Sequence, residues 1–310
     1  MKTLFILNPR AGRNRRRPQL RDELERFIRQ HRLDAAVALT SGPGHATDLA
    51  LSAVAARCQR VVAVGGDGTM NEVAQGLVGT PAVLALVPCG SGNGLALHLR
   101  LPTQLDRALA LLLDPTATPL AIDTGTANGH PFFNAMGVGF DAEISRRFNR
   151  LTRRGLAAYV RTVAGAVWAY QPGDFAIEAG GRAFELRASL IAVGNSDQYG
   201  NNAFIAPRAS VVDGQLDLVA LPPVGPLGSA VLAARLFAGT VDRHPGVVRC
   251  AGERFVIHRD SPGVIHTDGE THDTSETIRV AVRPASLRLL VPAATAAAQG
   301  KTSPALRASA

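Results

Sequence analysis

The run Val61-Val62-Ala63-Val64-Gly65-Gly66-Asp67-Gly68-Thr69-Met70-Asn71-Glu72-Val73 decides the fold. Its four apolar, mostly β-branched residues predict a strand covered on both faces. Glycines at 65, 66 and 68 predict a turn whose backbone takes positive φ and comes close to a ligand. Thr69 or Asn71 is a candidate cap for the helix that follows. The first turn of that helix would offer free N–H groups to an anion. Asp67 lies inside the turn, and a carboxylate beside phosphates makes sense mainly if a metal neutralises both. Read alone, the run also fits a glycine-rich strand-to-helix turn with a capping acid, the less favoured reading.

Outward from this run the chain alternates strands and helices. Leu4–Leu7 is a first strand ending at Asn8-Pro9, and the basic loop Arg10–Arg17 follows. Leu20, Leu24, Phe27, Ile28 and His31 share one helical face. Ala35, Val37 and Leu39 form strand two, then a loop from Thr40 to Ala46 opens onto a helix. Ala82–Val87 is strand four; the turn Gly90-Ser91-Gly92-Asn93-Gly94 leads to a helix from Leu95, and Leu105–Leu113 is another. This order implies an α/β fold, a doubly wound, mostly parallel sheet with ligands at the carboxyl ends of its strands. Both glycine turns would then border one crevice.

After about Pro119 short strand-like runs dominate, among them Phe132–Met136, Phe175–Glu178, Phe184–Leu186, Ser189–Val193, Leu216–Leu221, Arg254–His258, Val264–Thr267, Thr277–Val282 and Leu287–Val291. Gly180-Gly181 separates two of them as a hairpin turn would. Two helical patterns interrupt, Leu156 to Val167 and Leu227 to Leu236. The second half is expected to be an antiparallel, β-rich, sandwich-like domain. Expected boundaries are 1–121 for the first domain, 122–285 for the second, 286–295 returning to the first, and 296–310 as a tail; the Ala/Ser/Thr-rich end from Pro292 reads as disordered.

Composition narrows the class of partner. Hydrophobic residues make up 46% of 310, enough for two packed cores. The net charge of +8 favours anionic partners. Aromatics are only 5%, too few for base stacking, so nucleic acid is not expected. Cys58, Cys89 and Cys250 show no pairing or ligand spacing, which fits reduced, buried thiols in a cytoplasmic protein. No signal peptide and no run near ~20 apolar residues stands out. The expected location is cytoplasmic, peripheral at the membrane.

The turn Gly90-Ser91-Gly92-Asn93-Gly94 offers backbone N–H groups and a hydroxyl to a phosphate. It lacks the Gly-Lys-Ser/Thr of a P-loop, and Gly65-Gly66-Asp67-Gly68 has the wrong spacing for a dinucleotide fingerprint. Two such loops in one sheet, one carrying an acid, weigh more than either alone.

Eight short motifs occur in order: Asn8-Pro9; Thr40 to His45-Ala46; Gly65-Gly66-Asp67-Gly68-Thr69 with Asn71-Glu72-Val73; Pro88 to Asn93; Ile122-Asp123-Thr124-Gly125; Asn134 to Asp141; Asp213-Gly214-Gln215-Leu216-Asp217; and Asp268-Gly269-Glu270. From Asn8 to about Leu290 this resembles the diacylglycerol-kinase catalytic-domain family, with its bacterial diacylglycerol- and sphingosine-kinase-like lipid kinases. The resemblance implies a two-domain lipid kinase using ATP and Mg²⁺, with a role in phospholipid metabolism. By it, Asn8, Thr40, the loop Gly65, Gly66, Asp67, Gly68, Thr69, Met70 and Asn71, and the loop Gly90, Ser91, Gly92 and Asn93 would bind the nucleotide. Glu270 would accept the proton of the lipid hydroxyl, supported by Asp123 and Asp268. Ser210, Asp213 and Gln215 would hold a structural Mg²⁺, and Asp141 would contact a lipid headgroup. Positioning, a metal and a proton acceptor are what phosphoryl transfer requires, and carboxylates tuned upward by burial can accept that proton.

Gly94 stands where many bacterial members carry an acid, which makes the stretch look more like the sphingosine- and ceramide-kinase branch. The acceptor is therefore expected to be diacylglycerol-like or sphingoid-like. Arg10, Arg13, Arg15, Arg16, Arg17 and Arg146, Arg147, Arg150, Arg153, Arg154, the latter with Phe148, Leu151, Tyr159 and Trp168 nearby, suit peripheral contact with an anionic membrane, or simply a solvated surface. A homodimer is compatible with the sequence. His266 and His272 flank the Asp268–Glu270 turn and either orient it or are ordinary surface groups, the latter being the favoured reading; His98 follows the second loop and has no better support. The rival enzyme is NAD kinase, whose relatives share the Gly-Gly-Asp-Gly-Thr turn; a non-catalytic, membrane-associated nucleotide-binding protein is the rival of another class.

Overall fold

A computed structural model describes residues 1–149 and 170–300. The helical pattern Leu156–Val167, Arg150, Arg153, Arg154, Leu151, Tyr159 and Trp168, the side chain of Phe148 and the end from residue 301 lie outside the described residues. The chain forms two compact units, Met1–Asp123 with the segment from Ala285 onward, and Thr124–Pro284.

The first unit is an α/β layer structure. Strands β1 (Thr3–Leu7), β2 (Ala35–Leu39), β3 (Arg60–Gly65) and β4 (Val83–Pro88) are parallel, in the order β2-β1-β3-β4. Val61, Val62 and Val64 are fully buried in β3, as their two-sided apolar pattern requires. Between the strands run α1 (Leu20–Gln30), α2 (His45–Ala55) and α3 (Asp67–Leu77). Helices α4 (Gly94–His98) and α5 (Leu105–Leu111) follow β4. Helices α2 and α3 cross closely at Gly76, where a β-carbon would lie 2.7 Å from Ala50 Cβ.

Three expectations need correction here. The basic segment after Asn8 is not open loop; Gly12–Arg16 forms a 3-10 turn anchored by buried Asn14, whose Nδ2 donates to Asn8 O and Val64 O. Neither Thr69 nor Asn71 caps α3: the cap is Gly66, and both residues lie buried within the helix. The end of the chain is not disordered from Pro292, because Ala293–Gly300 is helical and Thr295 Oγ1 donates to Leu99 O at 3.1 Å.

The second unit is antiparallel and sandwich-like. Strand β5 (Thr118–Ala127) leads into it, followed by β6 (His130–Phe132) and β7 (Ala135–Gly139). Next come β8 (Gly173–Ala179), β9 (Arg182–Ala188), β10 (Leu190–Gly194) and β11 (Leu216–Leu221). The last are β12 (Val248–Gly252), β13 (Arg254–Arg259), β14 (Gly263–Thr267), β15 (Glu270–Thr274) and the long β16 (Thr277–Val291). One sheet has the order β12-β11-β10-β7-β14-β15, and β16, β13, β8 and β9 run side by side in the other. Met136, Val138, Ile191, Val193, Leu216 and Ile265 from the first pack against Phe175, Ile177, Phe255, Ile257, Ile278 and Val280 from the second. Helix α6 is Phe140–Asn149 and α7 is Pro226–Phe237. Strand β16 continues past Ala285 into the first unit, where Arg288 and Leu289 pair in parallel with Val83 and Leu84. Gly180 and Gly181 take φ of +55° and +77°, forming the β8–β9 hairpin turn.

Strand β15 reads Glu-Thr-His-Asp-Thr and has no apolar residue, so no periodicity announces it. The expected strand Phe132–Met136 is broken at Phe133 and Asn134, whose N–H groups turn to Asp268.

Candidate active site

In the first unit, the loops after β1, β3 and β4 pack backbone against backbone at the carboxyl ends of the strands. A β-carbon on Gly66 would sit 3.1 Å from Gly90 Cα, and one on Gly90 would sit 2.7 Å from Gly66 Cα. One on Gly12 would sit 2.2 Å from Cys89 O. Gly66 and Gly90 are required for this contact and not for positive φ, which Gly65, Gly66 and Gly68 do not adopt; Gly12, at φ +34°, and Asn93, at φ +52°, are the positive-φ residues of these loops. Asn93 closes its own turn, accepting from Gly90 N at 3.0 Å and donating from Nδ2 to Gly90 O at 2.9 Å.

Asp67 is the first residue of α3, and its carboxylate ties the two turns together. Oδ2 accepts from Asn93 N at 2.8 Å and Oδ1 from Gly94 N at 2.7 Å. Burial pushes its carboxyl up, and these two N–H groups oppose that. Gly92 has no room for a side chain, since its β-carbon would meet Asp67 Oδ2 at 2.7 Å. Asn8 Nδ2 donates to Thr69 Oγ1 at 3.0 Å. Met70, Thr69 and Asn71 are buried, whereas Gly68 and Ser91 are exposed. Thr40 is half-buried at the end of β2, its N–H donating to Leu7 O. A small pocket here is lined in part by Gly65, Gly66, Asp67, Met70, Asn93 and Leu95. Asp123, in β5, is 3% exposed and accepts from Ala285 N at 2.7 Å, holding Ala285 at φ +48°.

In the second unit, Asp268 and Gly269 take φ of +50° and +87° between β14 and β15, a two-residue type I′ hairpin turn. Asp268 Oδ2 accepts from Phe133 N at 2.7 Å, and Oδ1 from Asn134 N at 2.9 Å and Ala135 N at 3.0 Å. Burial pushes its carboxyl up to about 6, against the pull of these donors and of nearby His266. Glu270 follows directly and is exposed. Asp141, in the first turn of α6, is 5% exposed; its Oδ2 accepts from Tyr199 Oη at 2.6 Å and lies 2.9 Å from His266 Nε2. Among the described residues, Asp141 Oδ1 is buried with no hydrogen-bond partner. His266 is 3% exposed, so it is not a surface group. His272 is 2.9 Å from Thr267 Oγ1 and stacks on His130 at 3.8 Å, and burial, then His130 and His266, hold it down at about 4.

Asp213, Gly214 and Gln215 form the turn that leads into β11, with Gln215 N donating to Asp213 Oδ1 at 3.1 Å. Asp217 is buried beyond it, its carboxyl pushed up to about 6 by burial and then by Asp213. These hard oxygen donors fit Mg²⁺ or Ca²⁺ in chemical type. Among the described residues no three His, Cys, Asp or Glu side chains gather into a metal cluster. Of the free cysteines only Cys89 is buried; Cys58 and Cys250 are half-exposed.

The profile of the diacylglycerol kinase catalytic domain matches residues 2–127. That of the YegS C-terminal NAD kinase beta sandwich-like domain matches residues 134–291, just over half of the chain. The chain belongs to the YegS-like branch of the diacylglycerol kinase family. A Pseudomonas putida protein named Probable lipid kinase YegS-like is 33% identical over 268 residues, 83% of this chain and 85% of that one. A namesake from Chromohalobacter salexigens is 34% identical over 225 residues, 70% of each. In fold, this YegS-like chain is similar to a diacylglycerol kinase from Bacillus anthracis str. Sterne, with TM-score 0.71 and 20% identity over 95% of this chain and 98% of that one. It is more distantly similar to an NAD kinase from Archaeoglobus fulgidus in complex with ATP, with TM-score 0.57 and 13% identity over 96% of each. The family makes the chain a kinase.

Proposed function

We propose that this kinase transfers the γ-phosphoryl group of ATP to the hydroxyl of a diacylglycerol-like or sphingoid-like lipid. The observation that carries the reading is the pair of glycine turns held backbone to backbone by Asp67 at the carboxyl ends of β3 and β4. The amides of Gly90, Asn93 and Gly94 are engaged by Asn93 and Asp67, so what the glycines supply is close approach of a phosphate to a fixed backbone. Thr40, Gly65 to Asn71 and Ser91 hold the nucleotide. Buried Thr69 and Asn71 serve that loop from within, whereas Gly68 and Ser91 are exposed to a ligand. The Asp67 carboxylate is the hard oxygen donor type that a nucleotide-bound Mg²⁺ takes.

Glu270 accepts the hydroxyl proton, with Asp268 fixing the turn that carries it and Asp123 supporting in the first unit. Asp141, with one buried oxygen unpartnered among the described residues, receives a donor from the lipid headgroup. Ser210 and Gln215, through their carbonyls, and the Asp213 carboxylate hold a structural Mg²⁺, which when bound would neutralise the acids of that turn.

Peripheral contact with an anionic membrane has a second candidate beside the arginine clusters. Arg13 donates to Pro88 O and Thr103 O, Arg15 donates to Arg10 O, Arg17 pairs with Glu23, and Arg146 and Arg147 pair with Glu143. The apolar face of α7 is better placed to enter a bilayer: Leu227 is 82% exposed and Phe237 48%.

The deciding experiment incubates the protein and labelled ATP with diacylglycerol, sphingoid bases, ceramide and NAD. A labelled lipid phosphate is expected. Label in NADP alone would make it an NAD kinase, and no transfer to any acceptor would leave a nucleotide-binding protein.

A further inference from the structure

We propose that His266 is a positioning residue for Glu270, acting through the Gly269 amide. Three elements converge on its ring. Asp141 from α6 lies 2.9 Å from Nε2 with its Oδ2, and that same oxygen accepts from Tyr199 Oη at 2.6 Å. On the opposite side of the ring, Nδ1 accepts the Gly269 N–H at 3.3 Å. A carboxylate oxygen can only accept, so the shared proton sits on Nε2, and the Nδ1 lone pair is left for Gly269.

The arrangement is fully packed. A β-carbon on Gly137 would lie 2.0 Å from Asp141 Oδ2 and 2.6 Å from His266 Nε2, so the carboxylate and ring occupy the space over β7 that a side chain would take. Both His266 and Asp141 are about 95% buried or more. A polar cluster this enclosed has one low-energy arrangement when its bonds are made.

The bond to Gly269 matters because of where Gly269 stands. In a two-residue hairpin turn the N–H of the second turn residue has no ladder partner. Asp268, the first, is tied to Phe133, Asn134 and Ala135. His266 takes the second, so both residues before Glu270 are anchored to buried groups. The exposed Glu270 carboxylate therefore starts from a fixed backbone. Tyr199, Asp141, His266 and Gly269 thus orient the base; Asp141 is the member assigned to the lipid headgroup, and His266 acts through the Gly269 amide.

This rests on the reading of Glu270 as the proton acceptor, and the test separates the two. His266→Ala, His266→Asn, His266→Gln and Glu270→Gln are purified, and lipid kcat, KM for ATP, Tm and hydrogen exchange at the Gly269 amide are measured. Asn places an amide oxygen near the position of Nδ1 and can still accept from Gly269; Gln places its amide near Nε2 and cannot. Expected for His266→Ala and His266→Gln are a kcat lower by ~10–100-fold, the effect of misplacing a reacting group, an unchanged KM for ATP and faster Gly269 exchange, with His266→Asn restoring much of both. Glu270→Gln inactive with all three His266 variants at wild-type kcat overturns the positioning role alone. Equal kcat losses in all three, following Tm, also overturn it, since packing would then explain them. Glu270→Gln at wild-type turnover overturns the base assignment and the positioning role together.

Discussion

The Asp67 carboxylate occupies the space a side chain at position 92 would need, with Oδ2 2.7 Å from the β-carbon site of Gly92. Gly92→Ala should therefore displace Asp67 from the Asn93 and Gly94 amides. The expected result is at least a tenfold rise in KM for ATP with a Tm loss of a few degrees. Asp67→Ala should lose turnover, and it should also lower stability, by about 2–4 kcal/mol for two charge-assisted hydrogen bonds in a partly exposed site. Chemical denaturation and ATP titration check both. An Asp67→Ala protein as stable as wild type would show that the clamp contributes nothing.

Glu270 and Asp268 are two positions apart and should fail in opposite ways. Glu270 is exposed, so Glu270→Ala should leave stability within about 0.5 kcal/mol. Loss of a general base should lower kcat by ~10²–10⁴-fold. Steady-state kinetics beside a melting curve make the comparison.

Asp268→Asn should be the structural counterpart. The amide can face the three N–H groups of Phe133, Asn134 and Ala135 with only one acceptor oxygen. A buried donor left unmatched costs about 1–3 kcal/mol. Equilibrium unfolding in urea measures it, and an unchanged midpoint would contradict the role of Asp268 as an anchor.

His272 gives a pH dependence with a definite sign. Its folded value of about 4 lies below the ordinary 6.5, so the unfolded chain takes up a proton that the folded chain refuses. Its contribution to stability is full above about 6.5 and is lost as pH falls toward about 4. The ring is partly solvated, so the loss should be about 1 kcal/mol after screening. Unfolding free energies at pH 7 and pH 4.5 should differ less for His272→Asn than for wild type.

For the α7 face, Leu227→Glu combined with Phe237→Glu should reduce sedimentation with anionic liposomes several-fold. Turnover on detergent-dispersed lipid should change little. Undiminished liposome binding would place the membrane contact elsewhere.

Much of the first unit is legible in the chain itself. Strand-to-helix alternation and the all-apolar run of β3 are local patterns, because burial on both faces demands an unbroken apolar stretch. The antiparallel hairpin at Gly180-Gly181 is equally local, since only the turn backbone matters. Strand β15 is not legible: its edge position asks nothing apolar of Glu270–Thr274. Helix α6 is hidden by the strand-like run before it and is set off by Gly139 at φ +96°.

For the candidate site, the residue types and their spacing mark Asp67, Asp268 and Glu270 as chemically interesting. They do not say what each one touches. That Asp67 reaches Asn93 and Gly94, some 26 residues away, is decided by two parallel strands lying side by side. That Asp268 turns to Phe133, and His266 to Asp141, is decided by the pairing of β14 with β7. Sequence alone determined the alternation of elements and the bare glycine turns, because those follow from local periodicity and backbone freedom. Only tertiary structure decided which acids are anchors and which is exposed, because a hydrogen bond between distant residues depends on strand register, and register is set by the packing of the whole core.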